Sequence, residues 1–420
     1  MRQYKDSGIE WIGKIPEMWE YKRFKYSGVF EKGKLPDSSN IERIGLPIIG
    51  ASEMLGKDAR TYTSDTTVPK CSVDDILILW DGANAGITAS GLNGVVSSTA
   101  VKYTCIDKSI FPKYVAYLLK YGENYFKEKV NGTTIPHMNM VYINDIPLLC
   151  PPFSVQQHIA DYLDSKCGEI DSLIALQEQM IEKLKAYRQS VITEAVTKGL
   201  DPNAKLVPSR IDWIGEIPEG WLVTDIKKLC ISITDGSHFS PERQSEGMPY
   251  ITAGDIRGKG IDYNNAMRIR IEDYNLLESQ GCRPHKGDIL MVKDGATTGR
   301  VGMMIDNEEC VLLSSVAMLT PLPNVDSNYL MYLIQSNVIQ AQIQLLMAGS
   351  AMPRVTLKKI NSLKGLLIPL NDQHSIASYL DEKCADIDRL IALKLQKIES
   401  LKDYKKSVIY EAVTGKTIIE

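Results

Sequence analysis

A chain of 420 residues with 44% hydrophobic and 24% charged residues has the composition of a globular protein of two or three domains. No apolar run approaches the ~20 residues that span a bilayer, and the opening MRQYKDSGIEW lacks the apolar block of a secretory signal, so an intracellular, cytoplasmic protein is expected. A net charge of −4 argues against coating a polyanion by bulk electrostatics, while leaving local basic surfaces open.

In chain order, the first marked segment is EWIGKIPEMW (Glu10–Trp19), and it returns as DWIGEIPEGW (Asp212–Trp221). VDDILILWDGANAG (Val73–Gly86) likewise returns as KGDILMVKDGATTG (Lys286–Gly299), and VVSSTAVKYT (Val95–Thr104) as VLLSSVAMLT (Val311–Thr320). DDILILW and GDILMVK predict buried strands, each followed by an Asp-Gly turn. GITASGLNG (Gly86–Gly94) reads as a hairpin connection, and YVAYLLKY and YLMYLIQS read as short helices. The loop NGTTIPHMN (Asn131–Asn139) lines up with AGSAMPRVT (Ala348–Thr356). The parts recur in one order at a shift of about 202 residues at the start and about 217 later, which means a duplicated unit and not a solenoid of short repeats.

Each copy ends in a helical stretch, IADYLDSKCGEIDSLIAL (Ile159–Leu176) against IASYLDEKCADIDRLIAL (Ile376–Leu393). Ile170, Ile174, Gln177, Ile181, Leu184, Arg188, Val191 and Ala195 fall at alternating spacings of four and three, as do Ile387, Ile391, Lys394, Ile398, Leu401, Lys405, Val408 and Ala412. That average of 3.5 is a coiled-coil seam, and its polar members would fix register. Leu173, Leu390, Tyr187 and Tyr404 widen the stripe, so each helix is expected to touch more than one neighbour. Packing the two helices antiparallel buries both seams. The expected fold is α+β: two homologous globular domains separated by two long helices in an antiparallel coiled coil, with a pseudo-twofold internal repeat. The expected boundaries are 1–152 and 201–369 for the globular domains, and 153–200 and 370–420 for the helical spacers.

Catalytic motifs fail on inspection. CPPF (Cys150–Phe153) offers a thiol where an adenine methyltransferase loop needs a carboxamide or carboxylate. TGKT (Thr414–Thr417) lacks the P-loop glycine, since Tyr410 stands there. None of the five histidines sits with Ser and Asp, or with Cys, as a triad or metal site would require. The eight cysteines form no C-x-x-C pair, and reduced, mostly buried thiols are expected. No catalytic residue and no metal ligand is assigned.

The copies agree in framework and differ in loops, which is the pattern of two readers with different targets. Candidate DNA contacts are Lys34, Asn40, Arg43, Thr133, Thr134, His137 and Asn139 in the first copy. In the second they are Asp235, Ser237, His238, Arg243, Ser350 and Arg354. Arg suits guanine and Asn suits adenine in the major groove, while Lys, Ser and Thr hold phosphates.

The two WIG-x-IPE openings, the DGSH loop, the GDIL strands and the QQHIADYLD/QHSIASYLD helices ending in SVITEAVT/SVIYEAVT together resemble the specificity subunits of type I restriction–modification systems. The resemblance covers nearly the whole chain. It implies that the globular domains are target recognition domains, each reading half of a split, asymmetric site in double-stranded DNA. Two methylation subunits would dock on the helical frame, and restriction subunits would join through them. S-adenosylmethionine, ATP and magnesium are then expected on those partners, none on this chain. Recognition domains at opposite ends of the helices would address half-sites roughly one helical turn apart, about 34 Å. Two other readings stand beside this one: a stand-alone DNA methyltransferase or nuclease with an unrecognised site, and a coiled-coil adaptor with no DNA role.

Overall fold

The computed structural model describes residues 3–128, 138–347, 353–417 and 419. The chain divides into two compact units, Met1–Gln177 with Leu395–Glu420, and Glu178–Lys394. Two long helices, Phe153–Lys198 and Leu370–Val413, contribute a part to each.

In the first unit the strands Gly28–Lys32, Ala100–Cys105, Ile76–Leu79 and Thr88–Ser90 form one antiparallel sheet in that order. A second sheet contains Leu46–Ile49 and Gly94–Val96 as a parallel pair. Ile76–Leu79 is buried on both faces, which is why its sequence is continuously apolar and not alternating. Ile76 and Ile78 join the core beneath the helix Pro112–Glu128, while Leu77 and Leu79 join Ile49 and Val96 in a second cluster. GITASGLNG is not a hairpin connection. It leaves Thr88–Ser90 in one sheet and enters Gly94–Val96 in the other, turning at Gly91 with φ 75°.

The second unit repeats this arrangement. Its sheet order is Cys230–Asp235, Val316–Pro321, Ile289–Val292 and Val301–Met303, and Met248–Ile251 pairs in parallel with Val311–Leu312. Ile289 and Met291 face one core, and Leu290 and Val292 the other. Among the differences, two lie in the helices. A helix, Ile271–Ser279, is added. The helix matching Pro112–Glu128 is broken into Ser327–Gln335 and Asn337–Met347 by the buried, extended Ser336.

The long helices pair within each unit. In the second unit Lys394 Nζ lies 3.2 Å from Met180 Sδ and Arg188 Nε 3.7 Å from Asp388 Oδ1, so a later residue on one helix meets an earlier one on the other and the pair is antiparallel. In the first unit Lys405 Nζ lies 2.7 Å from both oxygens of Asp171. Asp171 and Asp388 are equivalent in the repeat, as are Lys405 and Arg188, so one acid–base pair sets the same register twice. Along the seam Ile170, Ile181, Val191, Ile387, Ile398, Leu401 and Val408 are buried, and Ile174, Leu184 and Ile391 half-buried. Leu173, Leu390, Tyr187 and Tyr404 are exposed.

The duplicated decapeptide closes the helix ends. Gly199 (φ 76°) ends the first long helix, and a Cβ there would touch Trp221 at 3.4 Å. Gly415 (φ 70°) ends the second, against Pro16 and Trp19, and its carbonyl accepts from the Tyr4 hydroxyl. Left-handed φ at this position is the usual helix stop, and only glycine adopts it without strain. At the other end of each helix a buried glutamine is fully bonded. Gln156 accepts from Phe111 N–H and donates to the Ser109 and Pro151 carbonyls; Gln373 accepts from Asp326 N–H and donates to those of Asn324 and Ile368. Tyr117 donates to Asp164 and Tyr332 to Asp381, fixing a sheet-packing helix to a long helix in each unit.

Candidate nucleic-acid interface

In the first unit the Asn40 side chain accepts from Ile44 N–H and donates to the Ile44 and Tyr62 carbonyls. Its amide is thus engaged in closing a five-residue loop. That loop carries Arg43, exposed and at φ 62°, toward an open concavity of about 550 Å³. Lys57 and Arg60 line the same concavity, with Asp58 the only acid among its lining residues. Neither base is marked by any motif, and the run KDAR gives no signal beyond its charge. Lys34 is exposed just beyond the strand Gly28–Lys32, its N–H bonded to the Val96 carbonyl. Asn139 is a helix cap, its Oδ1 accepting from Val141 N–H at the start of Met140–Asn144. Thr133, Thr134 and His137 lie outside the described residues.

In the second unit the equivalent strand ends in Asp235, followed by Ser237 and His238. Ser237 is buried, its hydroxyl bonded within its own turn to Phe239 N–H and carbonyl. His238 is exposed, its Nε2 3.8 Å from Asp235 Oδ2. Arg243 is exposed in the following loop. Ser350 lies outside the described residues, and Arg354 is exposed at 59% with its Nε 3.0 Å from Asp294 Oδ1.

Sequence reasoning missed Lys293 and Asp294, which complete this cluster. Lys293 is 2% exposed, with Nζ 2.9 Å from Asp294 Oδ2 and 3.2 Å from Asp235 Oδ2. A buried ammonium is tolerated only with such partners. One signal was available: Lys293 directly follows an apolar strand where the first copy has Trp80. The two copies in fact differ in charge at the ends of the two strands that flank the central strand Ala100–Cys105 or Val316–Pro321. The first has Lys32 and Trp80 where the second has Asp235 and Lys293, and Lys32 Nζ lies 5.9 Å from the Trp80 ring centroid and 3.6 Å from Asp81. Each module thus presents an aspartate after the same strand, with a differently placed cation.

Cys150 ends a strand paired with Glu20–Arg23, and burial pushes its thiol pKa up, away from a nucleophile. All eight cysteines are unpaired, and burial pushes Cys230 and Cys310 up to about 12. Among the described residues no group of His, Cys, Asp and Glu could hold a metal ion, and no helix is long and apolar enough to cross a membrane.

Two copies of one α+β module, each with a charged loop edge and a shared helical frame, define a duplicated recognition protein. Residues 16–186 and 218–403 each match the family described as the type I restriction modification DNA specificity domain. The chain belongs to that family and carries its domain twice. It is similar to the type I restriction enzyme MjaVIII specificity subunit of Methanocaldococcus jannaschii, at 27% identity over 426 residues, covering 99% of this chain and 97% of that protein. It is also similar to the EcoBI specificity subunit of Escherichia coli, at 24% identity over 397 residues, covering 90% and 81%. Its fold matches a chain solved to explain complex assembly and conformational transition of the type I R-M system, with a TM-score of 0.68 at 14% identity over 95% of this chain and 98% of that one.

Proposed function

We propose that each module reads one half of a bipartite, asymmetric sequence in double-stranded DNA, and that the helical frame docks methylation subunits through which restriction subunits join. The chain itself is non-catalytic and works in the cytoplasm. S-adenosylmethionine serves adenine methylation on the methylation subunits, and ATP and magnesium serve the restriction subunits.

One observation carries the division of labour. Positions matched in the strand frame, Lys32 with Asp235 and Trp80 with Lys293, carry different charges in the two modules. A common frame with exchanged charge supports two readers of unlike half-sites. The docking reading is supported by apolar side chains that the helix pairs leave uncovered. These are Leu173, Leu176, Leu395 and Tyr404 in the first unit, and Met180, Tyr187, Leu390 and Leu393 in the second. Exposed apolar side chains in such number beside a seam mark a surface for protein partners.

The test is to assemble the chain with its methylation subunits and map modified adenine in randomised DNA. Replacing residues 1–150 by those of another family member should change one half-site and leave the other intact. A change in both, or in neither, would refute independent readers.

A further inference from the structure

We propose that Arg354 reads a guanine in the half-site bound by the second module, and that Lys293 and Asp294 are the positioning residues that hold it ready. The inference rests on the reading of function above and assigns part of its specificity to one side chain.

The backbone places Arg354 first. Gly295 N–H donates to the Pro353 carbonyl at 2.9 Å and Val355 N–H donates to the Lys293 carbonyl at 2.8 Å, so Asp294 and Arg354 stand opposite each other in a short antiparallel bridge. The side chains then divide the Asp294 carboxylate. Its Oδ2 is held by the buried Lys293 ammonium at 2.9 Å, and Lys293 is itself held by Asp235. Its Oδ1 faces Arg354 Nε at 3.0 Å, at an angle that makes an ion pair without a hydrogen bond. Among the described residues no acceptor lies on Arg354 Nη1 or Nη2, and the side chain is 59% exposed.

An ion pair on the Nε side restrains the guanidinium near Asp294 and leaves Nη1 and Nη2 without an acceptor among the described residues. Two parallel N–H donors match O6 and N7 of guanine, the commonest specific contact in the major groove. A phosphate contact would not need this restraint, since a mobile cation satisfies it from many rotamers. Holding the fork in advance removes rotamer entropy that an unrestrained arginine would lose on binding. The first module does not repeat the side-chain arrangement: Trp80 replaces Lys293, and Lys32 supplies the cation from the end of Gly28–Lys32, on the far side of Ala100–Cys105. The two half-sites are therefore expected to differ at the base this position meets.

The test uses the chain assembled with its methylation subunits, with methylation read out on randomised DNA. Arg354→Ala should remove a guanine preference at one position of the second module's half-site, by about 10- to 100-fold, leaving the other half-site unchanged. Arg354→Lys should not restore it, because an ammonium keeps the charge but loses the fork. Asp294→Asn should weaken the same preference by a smaller factor, with the thermal unfolding midpoint showing that the module is folded. Uniform loss across sequences with a salt slope reduced by about 1 would make Arg354 a phosphate contact and overturn the proposal. Full rescue by Arg354→Lys, or no guanine in that half-site, would also overturn it. If the unaltered assembly modified no defined site, the proposed function would fall; if it did and Arg354→Ala changed nothing, this inference alone would fall.

Discussion

Replacing Gln156 or Gln373 by Leu keeps side-chain size and removes an amide that is 1% exposed in both positions. Three hydrogen bonds are lost each time. For Gln156 they are 2.8 Å from Phe111 N–H, and 3.0 and 2.8 Å to the Ser109 and Pro151 carbonyls. For Gln373 they are 2.8 Å from Asp326 N–H, and 3.3 and 2.9 Å to the Asn324 and Ile368 carbonyls. At about 1 kcal/mol net for each bond, with orphaned backbone groups left behind, either change should cost about 3 kcal/mol. For a unit of this size that is a fall of about 6–12 °C in melting midpoint. Urea denaturation gives the free energy, and amide exchange at Phe111 and Asp326 locates it. Gln156→Leu should speed exchange at Phe111, and Gln373→Leu at Asp326. A loss below about 0.5 kcal/mol, with exchange at the orphaned N–H unchanged, would refute the account of these glutamines as the ties between helix start and preceding loop.

The Lys22 ammonium and Ser109 hold the Asp107 carboxyl down to about 2. A depressed folded pKa stabilises above the unfolded value and is lost as pH falls through about 2, so Asp107→Asn should flatten the acid limb of the urea midpoint between about pH 4 and pH 2. An unchanged limb would show that this pair contributes nothing. Gly199→Ala and Gly415→Ala both meet the cost of a left-handed residue, about 1–2 kcal/mol. At Gly415 the added Cβ would also lie 2.6 Å from Pro16 and 2.8 Å from Trp19, against 3.4 Å from Trp221 at Gly199, so Gly415→Ala should lower the melting midpoint more. Equal losses would mean that the decapeptide yields freely around the helix end.

Much of the frame was legible because it depends on local pattern. The seam positions could be read from a 3.5-residue spacing, and the strands Ile76–Leu79 and Ile289–Val292 from apolar runs bounded by Asp-Gly turns. GITASGLNG misled because glycine and turn residues mark a change of direction and not which sheet receives the next strand. The candidate contacts were less legible for a related reason. Asn40 and Asn139 have side chains suited to bases, yet one closes a loop and the other caps a helix, uses that depend on backbone groups nearby in space. Lys293 passed unnoticed directly after an apolar strand because its partners, Asp235 and Asp294, are brought to it by the sheet and the turn.

By itself the sequence determined the duplication, the two helical seams and the order of parts, since each is a repeat or a periodicity that a linear string records. Only the tertiary structure decided why WIG-x-IPE is written twice: the segment after each start covers the glycine that ends a long helix, Trp19 on Gly415 and Trp221 on Gly199. It also decided that the two modules place opposite charges at matched strand ends. Contacts between residues hundreds of positions apart are set by packing, and packing leaves no period in the chain.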